Sequence, residues 1–162
     1  TMTLYNSEFG PADAPTIQQL VNSIFGEYGL AIAVDGVDEH LADPAAYFHA
    51  RGGEFWVVED GGRIVATVGA LPLGSGTVEL KALYVHPSIR RQGWGRRLTT
   101  LVMDYARTIG KKRVILWSDT RFTDAHRLYR GLGFRQFGER DLHDIYNSSE
   151  YGFECELTAV PE

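Results

Sequence analysis

The spacing of apolar residues changes at Gly95, and that change constrains the fold more than any other feature of the chain. Ahead of it, Glu54–Glu59, Arg63–Leu71 and Val78–Val85 read as three strands, divided by Asp60-Gly61-Gly62 and Gly74-Ser75-Gly76. Consecutive strands with short glycine turns predict an antiparallel meander. Beyond it, Leu98, Leu101, Val102, Tyr105 and Ile109 share one helical stripe, which Gly110, Lys111 and Lys112 bring to a stop. Arg113–Ser118 then reads as a buried strand, Thr123–Arg130 as a short helix closed by Gly131 and Gly133, and Phe134–Glu139 as another strand. A β-helix-β order requires a crossover, so a locally parallel pair must interrupt the antiparallel sheet.

The flanks complete this pattern. Residues 3–9 suit a short strand, and Asp13 with Pro15 suits a helix start. Ile17, Leu20, Val21, Ile24, Phe25 and Tyr28 keep helical spacing up to Gly29. Asp43 and Pro44 open a second helix through Ala50, which Gly52 and Gly53 terminate. Asp141–Glu150 is polar, and Tyr151–Leu157 supplies a last strand. The class is α+β: a mixed, mostly antiparallel central sheet of six to seven strands flanked by about four helices. With 162 residues, no repeat and no linker, residues 1–162 are expected to form one domain.

Composition narrows the partners. Net charge is 16 − 21 = −5, which disfavours nucleic acid and anionic membrane surfaces. The longest apolar run, Leu30–Val34, falls far short of the ~20 residues that span a bilayer. The opening TMTLYNSEFG has no secretory pattern, so the expectation is a soluble, cytoplasmic protein. One cysteine, Cys155, allows no internal disulfide and reads as a small buried hydrophobe. His40, His49, His86, His126 and His143 lack ligand spacing, so no metal is expected, and no Gly-x-Ser-x-Gly elbow marks a hydrolase.

Chemistry concentrates in Arg90-Arg91-Gln92-Gly93-Trp94-Gly95-Arg96-Arg97, between a strand and a helix, where eight positions hold four of the 16 basic residues. Glycines let backbone amides approach a ligand, a helix start offers unpaired N–H groups, and arginines add charge-assisted bonds. Such a loop suits a phosphate; the bland alternative is a solvated basic surface. A dinucleotide fingerprint fails at Leu98, and a Walker loop fails at Tyr105 and Lys112.

Arg90, Gly93 and Gly95 fit the pattern Gln or Arg, two residues, Gly, one residue, Gly or Ala. Leu83-Tyr84-Val85-His86-Pro87 ahead of it, and Ala125, Leu128-Tyr129 and Leu132-Gly133-Phe134 behind it, extend the match. From Val78 to Phe134 the sequence resembles the GCN5-related N-acetyltransferases (GNAT). That resemblance implies an acyl-CoA N-acyltransferase fold with a bulged fourth strand. It also implies direct transfer of an acetyl group from acetyl-CoA to a primary amine, on a small molecule or a polypeptide, in a ternary complex without a covalent enzyme intermediate.

By the same resemblance, backbone groups of Leu83, Tyr84 and Val85 hold the pantetheine arm, and the loop Arg90, Arg91, Gln92, Gly93, Trp94, Gly95 and Arg96 binds the pyrophosphate. Trp94 is a core or interface candidate that, inside the loop, is also a candidate cover for the cofactor. Asp124 stands where many relatives carry a pantetheine-contacting asparagine. Tyr129 matches the proton donor to the departing sulfur, with aromatic packing as its alternative reading. Glu79, fourteen residues ahead of Gly93, matches the strand carboxylate of the histone-modifying branch; its alternative is an ion pair with Lys81 or a surface arginine, with backbone carbonyls and water accepting the proton instead. Some acceptor is needed, because presenting an ammonium of pKa ~10.4 as free amine at pH 7 costs about 4.6 kcal/mol.

Two acidic stretches, Asp35, Asp38, Glu39 and Asp43, then Glu139, Asp141, Asp144 and Glu150, fall in segments that line the acceptor side in the family. As an acceptor pocket they imply a cationic amine; the alternative is a pair of solvated loops. A homodimer is a further implication, since the family's terminal strand is often exchanged or paired between subunits. The rival to an enzyme is a non-catalytic acyl-CoA binding or sensing protein.

Overall fold

In a computed structural model, which describes residues 1–8, 10 and 12–158, the strands are β1 (Met2–Asn6), β2 (Glu54–Asp60), β3 (Arg63–Leu73), β4 (Thr77–Val85), β5 (Arg113–Asp119), β6 (Arg135–Asp141) and β7 (Ser149–Glu156). The helices are α1 (Ala14–Phe25), α2 (Pro44–Ala50), α3 (Trp94–Thr108) and α4 (Thr123–Gly131), with 3-10 turns at Gly26–Tyr28, Glu39–Leu41 and Pro87–Ile89. All seven strands form one sheet in the order β1-β2-β3-β4-β5-β7-β6. The predicted meander is β2-β3-β4, antiparallel throughout. The parallel pair is β4 with β5, joined across α3. The second β-helix-β unit, β5-α4-β6, makes no adjacent pair, because β7 inserts antiparallel between its two strands.

Boundaries shift where side chains compete with the ladder. The strand expected over residues 3–9 ends at Asn6, whose side-chain oxygen accepts the Glu8 N–H (3.0 Å) and turns the chain; Phe9 lies outside the described residues. So do residues 159–162 of the expected domain. Phe134 precedes β6 instead of opening it, since its ring is buried in the core.

Both helix starts foreseen from Asp-Pro pairs are capped as the chemistry requires. Asp13 accepts the Thr16 N–H (3.0 Å) and Asp43 the Ala46 N–H (3.3 Å). Along α1, Ile17, Leu20, Val21, Ile24 and Phe25 are all buried. Burial of each is worth roughly 1.5–3 kcal/mol, which fixes that helix against the sheet. They join Leu41, Phe48, Phe55 and Val57 in the core on one face of the sheet. The opposite face carries Leu98, Val102, Met103 and Ala106 of α3 against Val78, Leu80, Val114 and Leu116. On the α1 face, Gly69 leaves room for the Phe48 ring, which a side chain there would run into.

Two irregularities open the middle of the sheet. Thr67 faces Tyr84 and Gly69 faces Lys81, so β4 carries one extra residue, a bulge at Ala82–Leu83. Ala82 takes a left-handed φ of 55, and its carbonyl accepts the Thr67 hydroxyl (2.8 Å), which holds the bulge in place. Pairing of β4 with β5 stops at Leu80–Leu116 although both strands run on. Past that point they splay, leaving a gap whose walls are the ends of β4 and β5 and the start of α4.

Candidate active site

Two cavities fill the gap and meet within it. One, of about 650 Å³, is bounded by Leu83, Tyr84 and Val85 of β4, by Arg91, Gly93, Trp94 and Gly95, and by α4. The other, of about 860 Å³, lies toward β7 and the segment between α1 and α2. Leu83, Tyr84, Phe122, Ala125 and Tyr129 line both and form the junction.

The first cavity is built for an anion. Arg91 (φ 64) and Gly93 (φ 83) are both left-handed, so the loop curls around a concavity, and Gly93 is the residue type that does so without strain. No side chain caps α3, and the first bond of its ladder runs from the Arg97 N–H to the Gly93 carbonyl (3.0 Å). The amides of Trp94, Gly95 and Arg96 therefore lack acceptors within the helix, and the positive end of its dipole adds to them. Farther along, the His86 N–H bonds the Val65 carbonyl (2.8 Å). By strand alternation the peptide groups of Val85, and with them those of Leu83, turn away from β3 toward the gap. A diphosphate with an extended amide-bearing arm fits this donor set.

The individual loop residues differ in what they offer. Arg91, Gly93, Trp94 and Gly95 face the cavity; Gln92 and Arg96 are outside its walls. Arg90 lines it, but its guanidinium is held in a two-pronged pair with Glu27 (2.9 and 2.6 Å), tying the loop to the turn after α1. The guanidinium holds the Glu27 carboxyl below its ordinary range. The Trp94 ring turns inward with Ile89 and Leu98, so it forms wall and core instead of a lid. Asp124 sits at the cavity mouth, its side chain almost fully exposed beside Arg127 (3.4 Å).

Tyr129 is 5% exposed, and its ring packs on Phe134 (5.8 Å) and Phe153 (5.7 Å). Its aromatic and site-facing readings thus coexist. No hydrogen bond among the described residues engages its hydroxyl, and no sealed side-chain oxygen among them lacks a partner, so the hydroxyl opens to the junction. Burial pushes this hydroxyl well above the usual tyrosine range, which keeps its proton on at neutral pH. Glu79 lines the second cavity with its carboxylate 3.6 Å from Lys81. The ion pair that its alternative reading named is present, on the wall of the cavity.

Of the two acidic stretches, Asp38, Asp141, Asp144 and Glu150 reach the second cavity. Asp35, Glu39, Asp43 and Glu139 do not line it, and Asp43 is spent capping α2. The walls are held from a distance. Gln18 donates to the Leu41 carbonyl (2.8 Å), and the Ile32 N–H donates to Asn22 (3.0 Å), fixing the segment between α1 and α2. Arg121 donates to Asp119 (3.0 Å), Ser148 (3.2 Å) and the Tyr146 carbonyl (2.8 Å), fixing the turn between β6 and β7. His126 links the Ser118 hydroxyl (3.1 Å) and the Asp119 carbonyl (3.0 Å), which docks α4 on the end of β5. Neither Arg121 nor His126 carried a sequence signal, because their partners lie in other elements. His40 is a third such residue, buried in the cavity wall. Among the described residues, no helix is long and apolar enough to cross a membrane, and no group of three His, Cys, Asp or Glu could hold a metal ion.

A model of the acetyltransferase (GNAT) family matches residues 17–134, more than half of the chain. The uncharacterized N-acetyltransferase YjgM of Escherichia coli K12 is 32% identical over 127 residues, covering 75% of this chain and 76% of that protein. N-acetyltransferase 8B of Rattus norvegicus is 37% identical over 99 residues, covering 58% of this chain and 45% of its own length. Among solved structures, a GNAT-family acetyltransferase from Staphylococcus aureus Mu50 superposes with a TM-score of 0.83 at 18% identity, covering 98% of this chain and 100% of that one. A phosphinothricin acetyltransferase of Sinorhizobium meliloti, in complex with AcCoA, gives 0.69 at 17% identity, over 97% and 89% of the two chains. These structural likenesses speak for the fold; with the family match, which spans both walls of the gap from α1 to Phe134, the chain belongs to the GNAT family and is an N-acetyltransferase.

Proposed function

We propose that the chain transfers an acetyl group from acetyl-CoA directly to a primary amine while both are bound. The observation that carries this reading is the junction: the cavity with the anion-binding loop and the cavity with the acidic wall meet at Leu83, Tyr84, Phe122, Ala125 and Tyr129. None of these five is a serine, cysteine or lysine that would carry an acyl group between two separate half-reactions. The AcCoA-bound relative of the same fold supports the assignment of the loop side to the coenzyme.

Acetyl-CoA supplies an acyl group already activated by a thiol leaving group of pKa near ~8.5. The chain's residues do the rest. Amides at the start of α3 and the Arg91 guanidinium hold the diphosphate, and the peptide groups of Leu83 and Val85 direct the arm and polarise the carbonyl oxygen. Tyr129 lends its proton to the departing sulfur. Glu79, 3.6 Å from Lys81, receives through water the proton that the incoming ammonium sheds.

The test is a direct product assay. With acetyl-CoA and a primary amine present, mass spectrometry is expected to find the N-acetylated amine in amounts equal to the thiol released. Thiol release without amide product, or none above the buffer rate for any amine, would overturn the reading.

A further inference from the structure

The acceptor cavity carries more negative charge than its own side chains offset. Lys81 is matched by Glu79 (3.6 Å), Arg140 by Glu150 (2.7 Å), and Arg121 by Asp119 (3.0 Å). Asp38, Asp141 and Asp144 remain, and no cationic side chain among the described residues pairs with them. Asp38 is 9% exposed and Oδ2 takes the Ala33 N–H (2.9 Å); Asp144 takes the Ser148 N–H (2.7 Å) from the opposite wall. Burial first, and then Glu150 and Asp144 across the cavity, push the Asp38 carboxyl up. A cation between the two walls would relieve that repulsion.

A second feature points to a ligand independently of the charge. His40 is 8% exposed, lies two residues from Asp38 and lines the same cavity. Its ring meets Tyr47 (centroids 6.0 Å apart), yet no hydrogen bond among the described residues engages either nitrogen. Since no sealed nitrogen among them lacks a partner, the free edge of the imidazole opens into the cavity. Burial, aided by Lys81, holds this imidazole down at about 4, so at neutral pH it is uncharged and offers a lone pair without repelling a cation. The mouth is apolar: Val37 (43% exposed) and Ile145 (89% exposed) stand at the tips of the two loops that frame it.

We infer that the acceptor is a primary amine on an apolar body with no carboxylate beside it, its nitrogen held between Asp38 and Asp144 and accepted by His40. This rests on the transfer reading above and names its substrate class. The apolar tips cover the body, the two carboxylates select the charge, and His40 accepts one N–H, which leaves the nitrogen's lone pair, once the ammonium has shed its proton, to face the junction. An α-amino acid of the same shape places a further anion among Asp38, Asp144 and Glu150 and is rejected.

Phenethylamine and phenylalanine differ by that carboxylate alone and make the test. Each is titrated calorimetrically into the protein saturated with coenzyme A, so binding is read apart from turnover. Phenethylamine is expected to bind at least about tenfold more tightly, a difference of ~1.4 kcal/mol. D38N, which keeps an oxygen for the Ala33 N–H, is expected to shrink the ratio to within about threefold, and D144N to do the same from the facing wall. H40Q is expected to weaken phenethylamine severalfold while coenzyme A affinity stays within about twofold. Equal binding of the two ligands, binding of neither, or a ratio unmoved by D38N and D144N overturns the inference. Charge-selective binding with no acetylated product would instead sink the transfer reading and leave the selectivity standing.

Discussion

The coenzyme side of the gap and the acceptor side are both walled by β4, yet they are encoded in opposite ways. The anion-binding part of the coenzyme side comes from one contiguous run, the end of β4, the Arg90–Gly95 loop and the start of α3, whose geometry is set by two left-handed residues and an uncapped helix; α4 closes the cavity around it. The acceptor side is assembled from Asp38 and His40, Glu79 and Lys81, and Asp141 to Glu150. Those segments are brought together by distant hydrogen bonds such as Gln18 to Leu41 and Arg121 to Tyr146. Recognition of the shared coenzyme needs a local backbone shape, while recognition of one particular acceptor needs a tertiary arrangement, and the second can vary without disturbing the first.

Substitution at the junction probes where the two sides meet and should have the largest effect. Y129F is expected to lower kcat about a hundredfold by removing the proton donor, with acetyl-CoA affinity within about twofold. A rate within twofold of the parent would remove Tyr129 from the chemistry and leave it a packing residue.

Acid should separate the two sides through stability. The folded-state pKa of His40 lies at about 4, below its unfolded value of 6.5, so the unfolded chain binds the extra proton. Stability that is present above pH 6.5 is therefore lost as pH falls toward 4, by about 2–3 kcal/mol from this group. His126, also buried and shifted downward chiefly by desolvation, adds in the same direction. Asp38, shifted upward, opposes them at the acid end of the window. Thermal melts between pH 7 and 4.5 should show the loss, and H40N should flatten it; an unchanged slope in H40N would place the His40 ring in solvent.

Charge reversal on the loop sharpens the coenzyme half. R91E is expected to raise the acetyl-CoA Kd about tenfold, with a smaller rise for R96E, whose side chain is outside the cavity walls, and the gap between them should narrow at high salt. The amine KM should hardly move in either. On the acceptor half, R121M frees the turn between β6 and β7, and should raise the amine KM a few fold while acetyl-CoA affinity holds. If R121M weakened acetyl-CoA as much as the amine, the two halves would not be separable.

The same division explains what could be read in the sequence. Helix caps at Asp13 and Asp43, the meander, the crossover through α3 and the loop at Gly93 depend on neighbours within a few residues, and the chain states them directly. The insertion of β7 between β5 and β6 was not legible, because it depends on long-range pairing such as Leu116 with Phe153. Within the site, Arg90 looked like a free phosphate ligand, and its pairing with Glu27, 63 residues earlier, emerges only when α1 packs against the sheet. The acidic stretches divide in the structure: Asp43 serves its own helix, while Asp38, turned inward, lines the cavity. His40 had no motif to mark it, since its significance is burial without a partner.

Initial velocities measured with acetyl-CoA and phenethylamine varied against each other test the shared junction most directly. If both ligands occupy the joined cavities together, the double-reciprocal lines intersect and no acetylated protein accumulates when amine is withheld. Parallel lines, or an acetyl group trapped on the chain, would contradict direct transfer.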